Sequence, residues 1–344
     1  MNTRVVITGL GAVSALGLNT GQFWSAIKEG QSGISSIQGF DQAALKINRA
    51  AQVKGFEPAL HFSSKELPLL DRYSQFALMA CREAIGQSGL ERVDLSHAAA
   101  VVGTGCGGKE TDEVTYDHLY RQQKSRVHPF TIPRGMPSAA ASQVSMQLAI
   151  AGPVFTVSSA CSSANHAIAQ AALMIRAGVV DVAVAGGTDA PFTYGLLRAW
   201  EALRVVSADT CRPFSADRSG LVLGEGAGMV VLESETSARR RGATILARLA
   251  GSGMSADAGH ITDPSAEGAA RAMRLALLDS RLDSRDVDYV NAHGTGTVAN
   301  DRTETEALHQ VFGEHAASLM VSSTKSMHGH ALGAAGGLKF IATV

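Results

Sequence analysis

Cys161 lies in Thr156-Val-Ser-Ser-Ala-Cys161-Ser-Ser, between an apolar run, Val154-Phe-Thr-Val157, and an Ala-rich stretch, Ala164 to Ile175, that contains no Gly or Pro. That pattern predicts a buried strand turning into the N-terminus of a helix at the cysteine. The unpaired N–H groups and positive dipole end of a helix favour an anion there. They lower a thiol's pKa and make a thiolate nucleophile available near neutral pH. The small neighbours Ser158, Ser159, Ala160, Ser162 and Ser163 leave room for an acyl group. A cysteine in such a segment also packs as a small hydrophobe, and the segment alone leaves both readings open.

Two histidine-bearing segments shift the balance. Asn291-Ala-His293-Gly-Thr-Gly-Thr297 and Ser322-Ser-Thr-Lys325-Ser-Met-His328-Gly-His330 each follow a predicted strand and precede a predicted helix. In parallel α/β sheets, ligands bind outside the carboxyl ends of strands. Cys161, His293 and the Lys325/His330 segment all fall at such ends. A lone histidine is ordinarily structural; two at consecutive strand ends, with a helix-N-terminal cysteine, point to one convergent site. The chemistry these residues suggest is acyl transfer through a thioester on Cys161.

The elements that must position them are read from hydrophobic periodicity. Strands are predicted at Arg4–Thr8, Ala98–Gly103, Val154–Val157, Val179–Gly186, Gly226–Glu233, Ala243–Ser255, Asp288–His293 and Leu319–Thr324. Helices are predicted at Gly21–Glu29, Asp71–Ser88, Ser138–Ile150, Glu267–Ser280, Asp301–Phe312 and from Leu332 onward, with a polar helix or excursion over Thr111–Arg126. Strands alternate with helices and the pattern restarts near residue 243. The fold class is therefore α/β, with two related βαβ-rich halves, 1–242 and 243–344, each a mostly parallel sheet covered by helices. The polar stretch Ser234–Gly242 marks the boundary.

Composition narrows the function classes. With 45% hydrophobic and 18% charged residues among 344, a large core is available. The net charge of -1 gives no global attraction for nucleic acid. The four cysteines form no CxxC pair, so reduced thiols are expected rather than a disulfide framework or a zinc site. The N-terminus lacks the features of a signal peptide and no apolar run reaches membrane-spanning length; a cytoplasmic location is expected. Thr8-Gly-Leu-Gly-Ala-Val-Ser14 partly imitates a dinucleotide fingerprint as a strand followed by a glycine turn. The acidic residue some 20 positions on, Glu29, does not end a second strand, so no nucleotide cofactor is expected.

As a set, four motifs in order over nearly the whole chain resemble the 3-oxoacyl-acyl-carrier-protein synthases, the decarboxylating elongation enzymes of the thiolase-like superfamily. They are Val157-Ser-Ser-Ala-Cys161-Ser-Ser, Arg212-Pro-Phe-Ser-Ala-Asp-Arg-Ser-Gly220 with Gly224-Glu-Gly-Ala-Gly228, the His293 segment with Asp301 and Glu304, and Ser323-Thr-Lys325-Ser-Met-His-Gly-His330 with Gly333-Ala-Ala-Gly336. The resemblance implies a thiolase-like fold and a Cys-His-His enzyme without cofactor or metal. Cys161 would take the acyl chain from its carrier protein. His293 and His330 would contact the malonyl thioester carbonyl, and donors aimed at a developing enolate stabilise it. Lys325 would hold the site's electrostatics, and Glu304 would fix the loop carrying His293, unless its part is purely structural. Acyl carrier protein, malonyl and acyl thioesters, and a homodimeric or heterodimeric partner are implied.

The departures are informative. Ser215 stands where the family usually has Asp, and Asn300 where Gly is common. His328 replaces a small residue, and Met-His-Gly-His is similar to specialised synthases that make polyene or polyketide-type chains. Cys106, in Thr104-Gly-Cys-Gly-Gly108, replaces a larger residue lining the acyl pocket; tolerated core packing is its simpler reading. His166 and His328 are expected to be bystanders. Relatives continue past the position of Val344 with two strands and a glycine-rich loop. The C-terminal half therefore reads as truncated, with the helix from Leu332 short of packing partners. Two rivals remain, a cysteine-dependent acyl hydrolase or transferase and an inactive partner subunit. Basic residues for docking an acidic carrier are Arg121, Lys124 and Arg126, with Lys65 and Arg72 weaker.

Overall fold

The computed structural model describes residues 3–41 and 44–344; Met1, Asn2, Gln42 and Ala43 lie outside them. Its strands are β1 (Val5–Ser14), β2 (Ser35–Ser36), β3 (Arg49–Ala50), β4 (Ala99–Gly103), β5 (Val154–Val157), β6 (Val182–Asp189), β7 (Gly226–Ser234), β8 (Ala247–Leu249), β9 (Tyr289–Asn291) and β10 (Met320–Ser322). The helices of the first half are α1 (Thr20–Lys28), α2 (Arg72–Ser88), α3 (Lys109–Tyr116), α4 (Thr131–Gly135), α5 (Ala139–Leu148), α6 (Ser163–Arg176), α7 (Tyr194–Leu203) and α8 (Glu235–Arg240). Those of the second are α9 (Ala266–Ser280), α10 (Val298–Phe312), α11 (Lys325–His328) and α12 (Ala335–Thr343).

One six-stranded sheet, in the order β5-β4-β6-β7-β1-β8, organises the molecule. β4 pairs in parallel with β5 and β6, whereas β7 is antiparallel to β6 and β1, and β8 to β1. Four strands thus share one direction, and β7 runs against them from within the sheet. It is as apolar as its parallel neighbours because helices cover both faces, and burial of both faces, not strand direction, sets that composition. Along β4, Ala100 and Val102 join the core under α2 and α5, while Ala99 and Val101 join the core under α6 and α12. This is the two-residue alternation of a strand covered on both sides. In the second half, β9 and β10 form a two-stranded parallel sheet.

Several expectations change. Gly9 and Gly11 do not form a turn; they lie inside β1, where α2 presses its backbone on the strand. A Cβ on Gly9 would stand 2.0 Å from the Ala84 carbonyl oxygen, and one on Gly11 1.8 Å from that of Ala80. The Ala243–Ser255 strand shrinks to the three residues of β8, because Gly251 and Gly253 bring the following chain against α9. The stretch from Thr111, expected as a polar helix or excursion, is helical only to Arg121: α3 is followed by a π-helical turn over Asp117–Arg121. The helix expected to lack packing partners is well covered. In α12, Ala335, Gly336, Gly337, Leu338 and Ile341 are buried. Gly337 sits so close to β7 that a Cβ there would lie 2.3 Å from the Gly228 carbonyl oxygen. The second half thus gives the first half's sheet both an edge strand and a covering helix, and that interlock carries His293 and His330 toward Cys161.

Candidate active site

Cys161 follows a sharp reversal. Ala160 is left-handed (φ 53°). The Ser163 hydroxyl accepts the Ser159 N–H at 2.9 Å and donates to the Ala160 carbonyl at 2.6 Å. Gly103, at the end of β4, makes room for this turn: a Cβ there would stand 2.4 Å from the Ser163 carbonyl carbon. His166, one turn into α6, is engaged by the Ser159 hydroxyl at 2.7 Å, in keeping with a bystander.

His293 follows β9, and two side chains hold its loop. Glu304, on α10, accepts the N–H of His293 at 2.6 Å and of Gly294 at 2.7 Å, one on each carboxylate oxygen. The wholly buried Lys325 donates to the His293 carbonyl at 2.5 Å, and its Nζ lies 3.4 Å from His293 Nδ1. Asp301 accepts the N–H groups of Phe214 (2.7 Å) and Gly296 (3.2 Å), which ties the Pro213-Phe214 segment to the same loop. His330 is fixed by backbone pairing with Val222 and Gly224, and its Nδ1 accepts the Leu332 N–H at 3.0 Å. The ring proton of neutral His330 therefore sits on Nε2.

These segments converge. The Cys161 sulfur and one ring nitrogen each of His293 and His330 lie within 4.8 Å of one another. The imidazoles stand edge to face, 5.5 Å between centroids. With Nδ1 taken by the Leu332 N–H, a neutral His330 has only its Nε2 N–H left to give, which suits a substrate oxygen better than a metal ion.

Burial pushes the Cys161 thiol up, and the Lys325 charge pulls it back. This corrects the expectation that a helix end alone lowers that pKa: α6 starts two residues later, at Ser163, and burial is the largest influence on the thiol. His293 and His330 are held well below the usual imidazole range, first by burial and then by Lys325, so both are neutral N–H donors. Lys325 itself is lowered to about 7, by burial and then by the charge of Lys339. Lys339, on α12, is lowered to about 8 by burial.

Sequence reasoning missed two residues here. Lys339 has no ion-pair partner among the described residues, and it acts electrostatically on Cys161, His293, His330 and Lys325. A lysine between Leu338 and Phe340 in an otherwise apolar helix was the available signal. Asp189, the last residue of β6, is wholly buried and accepts hydrogen bonds from Thr104, Gly105, Cys106 and Gly333. Its strand had been predicted to stop at Gly186. Cys106 is half-buried against an apolar cluster that includes Leu197, Leu221, Leu223 and Leu332. His328 is buried outside the cluster, with Nε2 2.9 Å from the Thr324 hydroxyl and its ring 6.0 Å from Phe23. Among the basic candidates, Arg72 is not a docking residue, because it forms a bidentate pair with Glu225 (2.8 and 2.9 Å) and stacks on Phe76. Arg121 lies 3.5 Å from Asp117, while Lys65, Lys124 and Arg126 are exposed.

A cysteine beyond the end of β5 in the six-stranded sheet and two neutral imidazoles beyond β9 and β10 of the smaller one define a thiolase-like acyl-transfer site. The beta-ketoacyl synthase N-terminal domain family matches residues 2–238, and its C-terminal domain family matches residues 246–344. The chain belongs to the beta-ketoacyl synthase family, whose members are acyl-transferring condensing enzymes. It is 51% identical over 346 aligned residues to nodulation protein E of a Rhizobium species, covering 100% of this chain and 86% of that protein. It is 40% identical to a 3-oxoacyl-[acyl-carrier-protein] synthase 2 of Staphylococcus aureus, covering 99% of this chain and 84% of that one. Among solved structures, the ishigamide ketosynthase/chain length factor superposes with a TM-score of 0.94 at 35% identity, covering 99% of this chain and 85% of the other. A type II polyketide ketosynthase in complex with its acyl-carrier protein superposes with a TM-score of 0.90 at 32% identity, covering 100% and 86%. No helix among the described residues is long and apolar enough to cross a membrane.

Proposed function

We propose that this protein condenses an acyl thioester held on Cys161 with malonyl-acyl carrier protein, releasing CO2 and forming 3-oxoacyl-acyl carrier protein. Cys161 attacks the incoming acyl thioester, the acyl–sulfur bond to the carrier breaks, and the carrier thiol leaves. The malonyl thioester oxygen then binds the two imidazole N–H groups of His293 and His330. The bond to the carboxylate breaks, CO2 departs, and the electron pair is held as an enolate on that oxygen. The enolate carbon attacks the acyl-cysteine, and Cys161 leaves as thiolate. Lys325 supplies the positive charge that favours the thiolate, and Glu304 and Lys325 together hold His293. Cys106 lines the acyl cavity. The observation that carries this reading is the 4.8 Å cluster of one thiol and two imidazoles kept neutral by burial and by Lys325.

The donor is an acyl carrier protein, as in the ketosynthase complex to which the chain is similar. Exposed Lys124 and Arg126 suit an acidic carrier. A dimer, with itself or a related subunit, is supported by the sheet edge: β5 ends the sheet, and Phe155 on it is exposed, as are Met146 on α5 and Met136 after α4. The location is cytoplasmic, and the halves divide at 242/243. The relatives, with Met327-His-Gly-His330, favour a specialised chain over the bulk fatty-acid series.

The test follows the two half-reactions separately, acyl loading on Cys161 by intact mass and CO2 release from malonyl carrier. Loading with malonyl decarboxylation is expected in the parent. His293→Ala and His330→Ala should keep part of the loading and lose decarboxylation. A protein that loads and hydrolyses acyl groups but never decarboxylates malonyl carrier is a hydrolase, and the proposal fails.

A further inference from the structure

Asp189 sits outside the proposed chemistry, yet it is the most heavily hydrogen-bonded carboxylate near the cluster. Its Oδ1 accepts the Thr104 hydroxyl (2.7 Å) and the Cys106 N–H (2.9 Å); its Oδ2 accepts the N–H groups of Gly105 (2.8 Å) and Gly333 (2.6 Å). The Thr104 oxygen in turn accepts the Gly107 N–H at 3.0 Å, so its own proton is committed to Asp189. Four donors on two oxygens leave no place for a carboxyl proton, and the group is an acceptor-only carboxylate. Burial pushes its pKa up, and these hydrogen bonds pull it back.

The bonds clamp two loops, the one bearing Cys106 and the turn after His330. That turn is strained. Leu332 has φ 48°, a left-handed conformation costly for a residue with a side chain. It persists only where its surroundings over-determine it. The clamp is tight: a Cβ on Gly333 would stand 2.5 Å from the Gly105 nitrogen and 2.6 Å from Asp189 Oδ2. Leu332 is also the residue whose N–H meets His330 Nδ1.

We propose that Asp189 is a positioning residue for His330. By holding the Gly333 N–H it keeps Leu332 left-handed, which aims the Leu332 N–H at Nδ1 and leaves the imidazole proton on Nε2. The same carboxylate holds the Cys106 loop, so the acyl-cavity wall and the imidazole share one anchor. The inference rests on the reading of His330 as donor to the malonyl thioester, but its first readout does not.

The experiment uses the full chain with 15N-labelled histidine. Imidazole nitrogen resonances report the His330 tautomer, and octanoyl carrier and malonyl carrier report loading and decarboxylation. In the parent, Nδ1 is expected unprotonated and Nε2 protonated. In Asp189→Asn, which puts an NH2 group against an N–H donor, the two tautomers should mix. Malonyl decarboxylation should fall by roughly 10²-fold, as for a group misplaced by about 1 Å, with loading less affected. A folded Asp189→Asn with the parent's tautomer, or with parental decarboxylation, overturns the proposal. If that variant does not fold, a parent spectrum with Nδ1 protonated overturns it equally. A parent that shows the fixed tautomer and never decarboxylates malonyl carrier supports the clamp and counts against the condensation reading.

Discussion

Glu304→Gln tests whether the His293 loop is held by a charge or merely by shape. Glu304 receives two backbone N–H groups, at 2.6 and 2.7 Å, one on each oxygen. Glutamine keeps one oxygen and turns an NH2 toward the other donor, so one charge-assisted bond is lost. Such a bond is worth about 1.5–3 kcal/mol. If the whole of that loss falls on the placement of His293 in the transition state, decarboxylation drops by roughly 10- to 150-fold. A second, smaller effect falls on the thiol, through the Lys325 charge that favours its thiolate. Glu304 favours the charged form of Lys325, and removing it takes Lys325 below its present value of about 7, so less of it is charged at neutral pH. The assay is paired: acyl loading on Cys161 by intact mass, and CO2 release from malonyl carrier under single-turnover conditions. Loading should stay within a few-fold of the parent, because Glu304 does not hold the Cys161 turn. Parental decarboxylation in the variant would show that His293 is placed without its carboxylate partner. Equal loss of both half-reactions, with the fold intact, would refute the division of labour between thiol and imidazoles.

Other outcomes follow from the same geometry. Cys161→Ala should abolish acyl loading, whereas Cys211→Ala should still load, since burial holds the Cys211 thiol up at about 11; a stoichiometric adduct on another cysteine of Cys161→Ala would sink the assignment. His328 is held down to about 3 by burial and then by Lys325, so between that value and about 6.5 the unfolded chain binds a proton that the folded one does not. Its contribution is complete above pH 6.5 and is lost as pH falls through that window, at a limiting slope of about 1.4 kcal/mol per pH unit; denaturant midpoints of His328→Phe should show a shallower acid limb, and an unchanged slope argues against it. Charge reversal of Lys124 and Arg126 should slow association with carrier and weaken its salt dependence; equal carrier affinity across a salt series eliminates that patch. Hydrogen exchange should find Gly336–Ile341 among the protected amides, because α12 is buried on β7, and exchange as fast as in exposed loops would contradict that packing.

Local chemistry made much of the site legible. Small residues and a break in periodicity around Cys161, and glycines and strand ends around His293 and His330, are written in contiguous stretches. Turns and strand termini are local decisions of the backbone. The role of Glu304 was legible only through family resemblance, although it is one of the shortest contacts in the site, because a carboxylate eleven residues away points to a loop only once α10 is folded.

What the sequence determined by itself was the set of reactive residues and the alternation of elements that carries them to strand ends. Tertiary structure decided the rest wherever an answer depends on remote neighbours. Gly9 and Gly11 look like a turn and are strand, because α2 needs the space their missing side chains leave. The charge state of the site was misjudged from Cys161 and its helix, because desolvation and the Lys325 and Lys339 charges arrive from segments more than 160 residues away. Asp189 was passed over because Gly186-Gly187 reads as a strand ending. In the fold those glycines continue β6, and Gly187 leaves room for the Gly333 carbonyl, 2.3 Å from where its Cβ would be. Periodicity records which face of an element is buried, but not what is buried against it; in this protein that second fact sets the protonation of the thiol, the lysines and the imidazoles.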